Sequence, residues 1–266
     1  MPSEGKYIYC MIDAFEERDF GPVGIGGRGD NVHTVVFEDI AAVVSDSPVV
    51  KYPISRENTM VHIKIMETAM NDYTILPVKF DTIAAGNKKQ NPEERIKLEI
   101  LKARHKELKD LFSRMCGKVE LGLKAIWTNM ETIFQEIVEE NREIKLLKKK
   151  IASGNPLKGY SQRISLGEMV KKTLDIKRAK EEEEILAVLK RAHCELCRNK
   201  IFSDSMVTNS AFLVDRSQIE EFDNLIEKLE STYNGRTKLK YVGPVPPCNF
   251  VELVITLESE GNGKKV

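Results

Sequence analysis

Three stretches of this chain hold residue types at spacings that could carry chemistry. Gly24-Ile25-Gly26-Gly27-Arg28-Gly29 fits the Gly-x-Gly-x-x-Gly pattern of dinucleotide cradles. In such a cradle the glycines admit a pyrophosphate close to the backbone, and the N-terminal amides of the next helix hold it. Here the next segment, from Val32, is rich in branched residues and reads as strand, so the loop is expected to join two strands and hold no cofactor. No Gly-Lys-Ser/Thr follows any glycine, which removes a P-loop. The second stretch, His193-Cys194-Glu195-Leu196-Cys197, offers ligand types for half a zinc site. A structural zinc takes four ligands, and His33, His62, His105, Cys10, Cys116 and Cys248 are scattered along the chain. Two thiols one turn apart on a helix are expected there, with no metal; an ion shared between subunits is the other use open to His193, Cys194 and Cys197. The third, Lys148-Lys149-Lys150, is a basic run without interleaved aromatics and reads as the solvated end of a helix.

Nucleophilic catalysis needs an activated serine or cysteine, and no Gly-x-Ser-x-Gly elbow occurs. The four histidines fall in strand and helix patterns, as packing or surface residues do. No enzyme is expected. The 41 basic residues balance 41 acidic ones, so no net field steers the chain toward nucleic acid or an anionic membrane. Five cysteines and no apolar leader before the first strand give a cytoplasmic expectation with reduced thiols. Apolar runs such as residues 40–44 fall far short of the ~20 residues that span a bilayer.

The elements that position these residues follow from periodicity. Tyr7-Ile8-Tyr9-Cys10-Met11-Ile12 is a buried strand, and residues 32–37 and 40–45 form a hairpin about Glu38-Asp39. Met60, Ile63, Met66, Ala69 and Met70 give residues 55–71 a helical period. Thr74-Ile75-Leu76-Pro77-Val78-Lys79-Phe80 returns to strand, with Pro77 at an edge because it cannot donate to a ladder. Asn91-Pro92-Glu93-Glu94 caps a long helix reaching Met115, and Gly117 ends it before a strand over residues 119–127. Residues 128–151 read as one long charged helix. A second opens at the capping box Ser165-Leu166-Gly167-Glu168 and runs past Leu196, with the Glu181-Glu182-Glu183-Glu184 run as one exposed turn. A strand over 206–214, an amphipathic helix carrying Ile219, Phe222, Leu225, Ile226 and Leu229, and a final strand pair over 239–242 and 250–257 complete the pattern. The class is α+β, in two domains: residues 1–127, then residues 128–258 with a hairpin of long antiparallel helices, followed by a disordered tail at 259–266.

Between the last two strands stands Gly243-Pro244-Val245-Pro246-Pro247-Cys248-Asn249-Phe250. Three prolines in four positions fix φ and remove donors, so the segment is a built corner. It resembles the signature of the gas vesicle protein F/L family, whose usual form is Gly-Pro-Trp-Pro-Pro-Tyr-x-Phe. Further blocks resemble that family in the same order: Tyr7-Ile8-Tyr9, the glycine loop leading to residues 40–46, His62, Leu76-Pro77-Val78-Lys79-Phe80, and Gly117-Lys118-Val119-Glu120-Leu121. The motif residues are Leu76, Pro77, Phe80, Gly243, Pro244, Pro246, Pro247 and Phe250. The chain departs from the pattern at Val245, Cys248 and Asp81, where Trp, Tyr and Gly are usual.

The resemblance implies a ferredoxin-like N-terminal domain and a minor shell component or assembly factor for gas vesicles. It implies association with the small, apolar main shell protein and with other gas vesicle accessory proteins, in the cytoplasm, without catalytic residues or cofactor. A sheet edge near Pro77 or Pro244, or an apolar helix groove, is the expected contact. The alternative is a metal- or small-molecule-binding enzyme or sensor using the glycine loop or His193, Cys194 and Cys197.

Overall fold

Residues Tyr7 to Ile12 have no solvent exposure at all, which makes the strand that carries them, β1 (Glu4–Ile12), the centre of the first sheet. The structure, a computed structural model, describes residues 3–153, 160–192, 195–251 and 253–257. Strand β1 pairs antiparallel with β4 (Ile40–Pro48), β5 (Ile75–Pro77) and β6 (Ile83–Ala85). Strand β3 (Val32–Phe37) forms the expected hairpin with β4, closed by Glu38 at φ 53° and Asp39, and β2 (Asp19–Gly21) lies outermost. The order is β2-β3-β4-β1-β5.

Helix α1 (Arg56–Met70) starts where the Ser55 hydroxyl accepts the Asn58 amide at 3.1 Å, and it buries His62, Ile65, Met66, Ala69 and Met70. Asn91 and Glu94 form the reciprocal capping box that opens α2 (Pro92–Arg95). One helix to Met115 was expected, and the structure breaks it. A wider π-turn over Ile96–Lys102 follows α2, the chain leaves helical geometry at Arg104, and α3 (His105–Met115) completes the run. The wide turn suits its sequence: Ile96, Ile100 and Leu101 are all buried, a spacing of four and five that an α-helix would splay around its axis.

A second sheet takes β7 (Lys118–Trp127), β8 (Glu195–Arg198), β9 (Met206–Asp215) and β10 (Thr237–Val245) in the order β10-β7-β9-β8. Between β7 and β8 run α4 (Met130–Glu140), α5 (Arg142–Ser153) and α6 (Tyr160–Leu189), and between β9 and β10 runs α7 (Ile219–Thr232). The long helix expected over 128–151 is two helices. Asn141 adopts φ −111° and ψ 105°, and its side chain accepts the amides of Glu143 and Ile144, restarting the chain as α5. Helix α6 is already helical at Tyr160, so the Ser165 capping box lies inside it and caps nothing. It also stops at Leu189, and Leu196 and Cys197 stand on strand β8, not on a helix.

The chain divides into two compact units, Met1–Glu120 with Pro244–Val266, and Leu121–Gly243. The division therefore falls inside β7, where a boundary after Trp127 was expected, and the corner returns to the first unit. The strand–helix–strand–strand–helix–strand succession implied for the N-terminal domain is not found there, because four strands precede the first helix. The second unit runs strand, three helices, two strands, helix and strand. Residues 250–257 were expected as a strand; among the described ones only Leu253 pairs, as a parallel bridge to Val78. The tail at 259–266 lies outside the described residues.

Candidate functional site

Motif residues far apart in sequence meet at the end of β5. Leu76 is fully buried, and Pro77 stands opposite Cys10 where the ladder ends. One residue on, the Val78 amide donates to the Tyr9 carbonyl at 3.2 Å while Val78 bridges Leu253. The edge at Pro77 is thus already covered at Val78 by the chain's own C-terminal segment. Upstream of Leu253, three amides turn onto the proline carbonyls of the corner. The Cys248 amide donates to the Pro246 carbonyl at 2.7 Å, and the Phe250 and Val251 amides both reach the Pro247 carbonyl at 3.1 Å. The Asn249 amide and side chain donate to the Glu120 carboxylate at 2.8 and 2.5 Å. Burial pushes the Glu120 carboxyl up, against the pull of those two bonds. Pro244 is the penultimate residue of β10, which lies at the end of its sheet, the position where a strand tolerates proline. Gly243 takes φ 139°, open to glycine and strained for other residues.

Phe80 packs 5.6 Å from the His62 ring and 6.4 Å from the Tyr7 ring, part of a buried aromatic cluster over β1. The Tyr7 hydroxyl lies 3.0 Å from His62 Nδ1 and accepts the Asp81 amide at 3.0 Å. Burial holds His62 down at about 4, so its ring is neutral near pH 7, although a bond to the Val78 backbone works the other way. Asp81 sits at φ 68°, the left-handed region that favours glycine, and its carboxylate accepts the Tyr52 amide at 2.8 Å. The same cluster fastens the glycine loop. The Tyr9 hydroxyl accepts the Ile25 amide at 2.9 Å and meets the Ser45 hydroxyl at 2.9 Å. A Cβ on Gly26 would lie 2.9 Å from the Tyr52 ring, and one on Gly24 would lie 2.8 Å from the Asp30 carbonyl. Close packing and positive φ account for these glycines. The loop joins β2 to β3 through one 3-10 turn, Ile25–Gly27, and opens no α-helix.

Fixed in this way, the loop faces α1 across a cleft of 470 Å³. Phe20, Val23, Val61 and Ile65 supply its apolar walls, and Glu57 and Lys64 bring charge from α1. Val23 is 49% exposed, so the cleft presents apolar surface to solvent. Asn58 and Thr68 add polar groups to the same lining.

Of the candidate metal ligands, Cys197 is half-buried with its Sγ 4.0 Å from Asn199 Oδ1, while His193 and Cys194 lie outside the described residues. Sequence reasoning missed Tyr52, Asp81 and Glu120. Each acts through long-range bonding that no local pattern announces. Only the Asp81 departure from the usual glycine hinted at a special backbone.

Comparison with known proteins gives a consistent result. The family model described as gas vesicle synthesis protein GvpL/GvpF matches residues 5–252. Gas vesicle protein F of Microcystis aeruginosa is 23% identical over 257 residues, covering 94% of this chain and 99% of that protein. Gas vesicle protein F1 of Halobacterium salinarum is 23% identical over 265 residues, covering 98% and 100%. The crystal structure of GvpF from Anabaena superposes with a TM-score of 0.75 at 21% identity, covering 95% of this chain and 100% of that one. The crystal structure of GvpF from Microcystis aeruginosa gives 0.71 at 23% identity, over 94% and 99%. At these identities the likeness to solved structures speaks for the fold alone.

Proposed function

The chain belongs to the gas vesicle synthesis protein GvpL/GvpF family, and from that premise we propose that it serves gas vesicle formation by binding the small apolar shell protein before and during assembly. It acts as a holder of unfinished protein surface and not as an enzyme. A subunit that will face gas must expose apolar area before it is built in, and such area aggregates in water. A partner that covers it reversibly solves the problem.

The observation that carries this reading is the cleft between the glycine loop and α1, with Phe20, Val23, Val61 and Ile65 as walls. An amphipathic helix laid into an apolar groove is a recurring recognition mode, and the glycine-loop wall is held from behind by Tyr9 and Tyr52. Strand addition is the weaker mode here. Val78 is occupied by Leu253, and β10 carries Pro244 near its end after exposed Lys238 and Lys240, residues that discourage pairing at an edge. The protein works in the cytoplasm at the growing vesicle, alongside other gas vesicle accessory proteins. Its two units act as separate domains, with the ferredoxin-like description assigned to the second. Leu76, Pro77, Phe80, Gly243, Pro244, Pro246, Pro247 and Phe250 serve as structural motif residues.

Co-purification of the full chain with the main shell protein tests the reading. The wild type should retain the shell protein, and Val23→Asp or Val61→Asp should weaken retention about tenfold or more, about 1.4 kcal/mol, with unchanged circular dichroism. Failure of the wild type to associate in any state, or equal retention by both variants, rejects it.

A further inference from the structure

On the first unit, away from the cleft, the two-residue turn of the β3–β4 hairpin meets the start of α3. His105 Nε2 lies 2.8 Å from Asp39 Oδ1 and 3.6 Å from Glu38 Oε2. One ligand atom from each of the three side chains lies within 4.8 Å of the others. The far oxygen of Asp39, Oδ2, takes Lys109 Nζ at 2.5 Å, which leaves Oδ1 turned to the imidazole. Behind that ring, Phe37 packs edge-on at 5.9 Å and restricts its tilt. Ligating carboxylates and histidines are commonly oriented by such outer partners.

We propose that Glu38, Asp39 and His105 bind a divalent transition-metal ion of the zinc type, which ties the tip of the β3–β4 hairpin to α3. One imidazole nitrogen with two carboxylate oxygens suits zinc, cobalt or manganese, whereas calcium and magnesium favour all-oxygen shells. Ligand bonds of about 2.0–2.2 Å require the three atoms to draw together around the ion. Glu38 and Asp39 are both exposed, and rotation of their side chains supplies that movement. Water fills the remaining coordination positions. The ion would draw together two segments that lie 66 residues apart in the chain.

Titration of the metal-stripped full chain tests this, with zinc followed by calorimetry and cobalt(II) by absorption. The expected result is one ion per chain, and a cobalt spectrum without thiolate charge-transfer bands. His105→Gln and Asp39→Asn should each weaken binding about tenfold or more. Zinc should raise the melting temperature of the wild type and leave that of His105→Gln unmoved. All three side chains reach solvent, so these variants should fold. Absence of binding, binding unchanged in His105→Gln, or a thiolate-dominated spectrum that His105→Gln leaves intact would overturn the proposal, leaving a cluster of ion pairs only.

Discussion

Asp81 occupies a backbone position at φ 68° that L side chains seldom take, and it meets the cost by accepting the Tyr52 amide. Replacement by alanine keeps the strain and loses the bond, so Asp81→Ala should destabilise the first unit by roughly 2 kcal/mol in urea unfolding. Asp81→Gly relieves the strain while losing the same bond, and should come out within about 1 kcal/mol of wild type. His62 gives a test in pH. Its folded value, about 4, lies below the ordinary 6.5, so burial disfavours the protonated ring and the stability linked to its neutral form is complete above pH 6.5. That stability is lost as pH falls from 6.5 toward 4, up to roughly 3 kcal/mol. His62→Gln should flatten this part of the stability–pH profile, read by denaturant unfolding at stepped pH; a slope equal to wild type would show that another group titrates there. Little of this was legible in the sequence. His62 is not among the apolar positions that give α1 its helical period, and its partners Tyr7 and Val78 are brought to it only by the sheet.

Helix α6 illustrates what a pattern of charges conceals. Glu181-Glu182-Glu183-Glu184 reads as an exposed turn, yet Glu181 is 6% exposed and accepts hydrogen bonds from Trp127 Nε1 at 3.0 Å, Thr237 Oγ1 at 2.6 Å and Arg236 Nε at 3.1 Å. Glu182 accepts from Thr208, Glu183 pairs with Lys190 and Arg198, and Glu184 accepts from Tyr233. A long helix crossing a sheet must bury one face whatever its residues, and here the strands supply donors to match. Glu181→Ala would strand the indole N–H, the Thr237 hydroxyl and one side of Arg236, at a cost of roughly 3 kcal/mol or more. Trp127 is the sole tryptophan, so its emission should shift to longer wavelength as the contact opens; an unmoved spectrum and melting temperature would contradict this account of α6. By contrast, elements whose signals are local were legible. The hairpin at Glu38-Asp39, the helix from about Ser55, the Asn91 cap and strand β9 stand where those signals put them. The breaks at Asn141 and Arg104 were not: Asn141 is a single cap-type residue in a run of charged helix formers, arginine is an ordinary helix-interior residue, and the packing beneath decides.

At the scale of the molecule, the colinear blocks carried the family resemblance and the family model spans residues 5–252, but the division of the chain into units did not follow the order of its halves. The corner returns to the first unit through Glu120 and Val78, two contacts with partners more than a hundred residues away that no window of sequence can pair. The cleft was equally hidden: its walls come from a glycine loop and a helix separated by two strands. Its use is the central claim. A photo-crosslinking side chain placed at Val61, with the same group at Phe202 as the comparison, 71% exposed in the second unit, probes that use during vesicle formation. Adducts with the main shell protein from position 61 and none from 202 are predicted; no adduct at 61, or equal adducts at both, would contradict it.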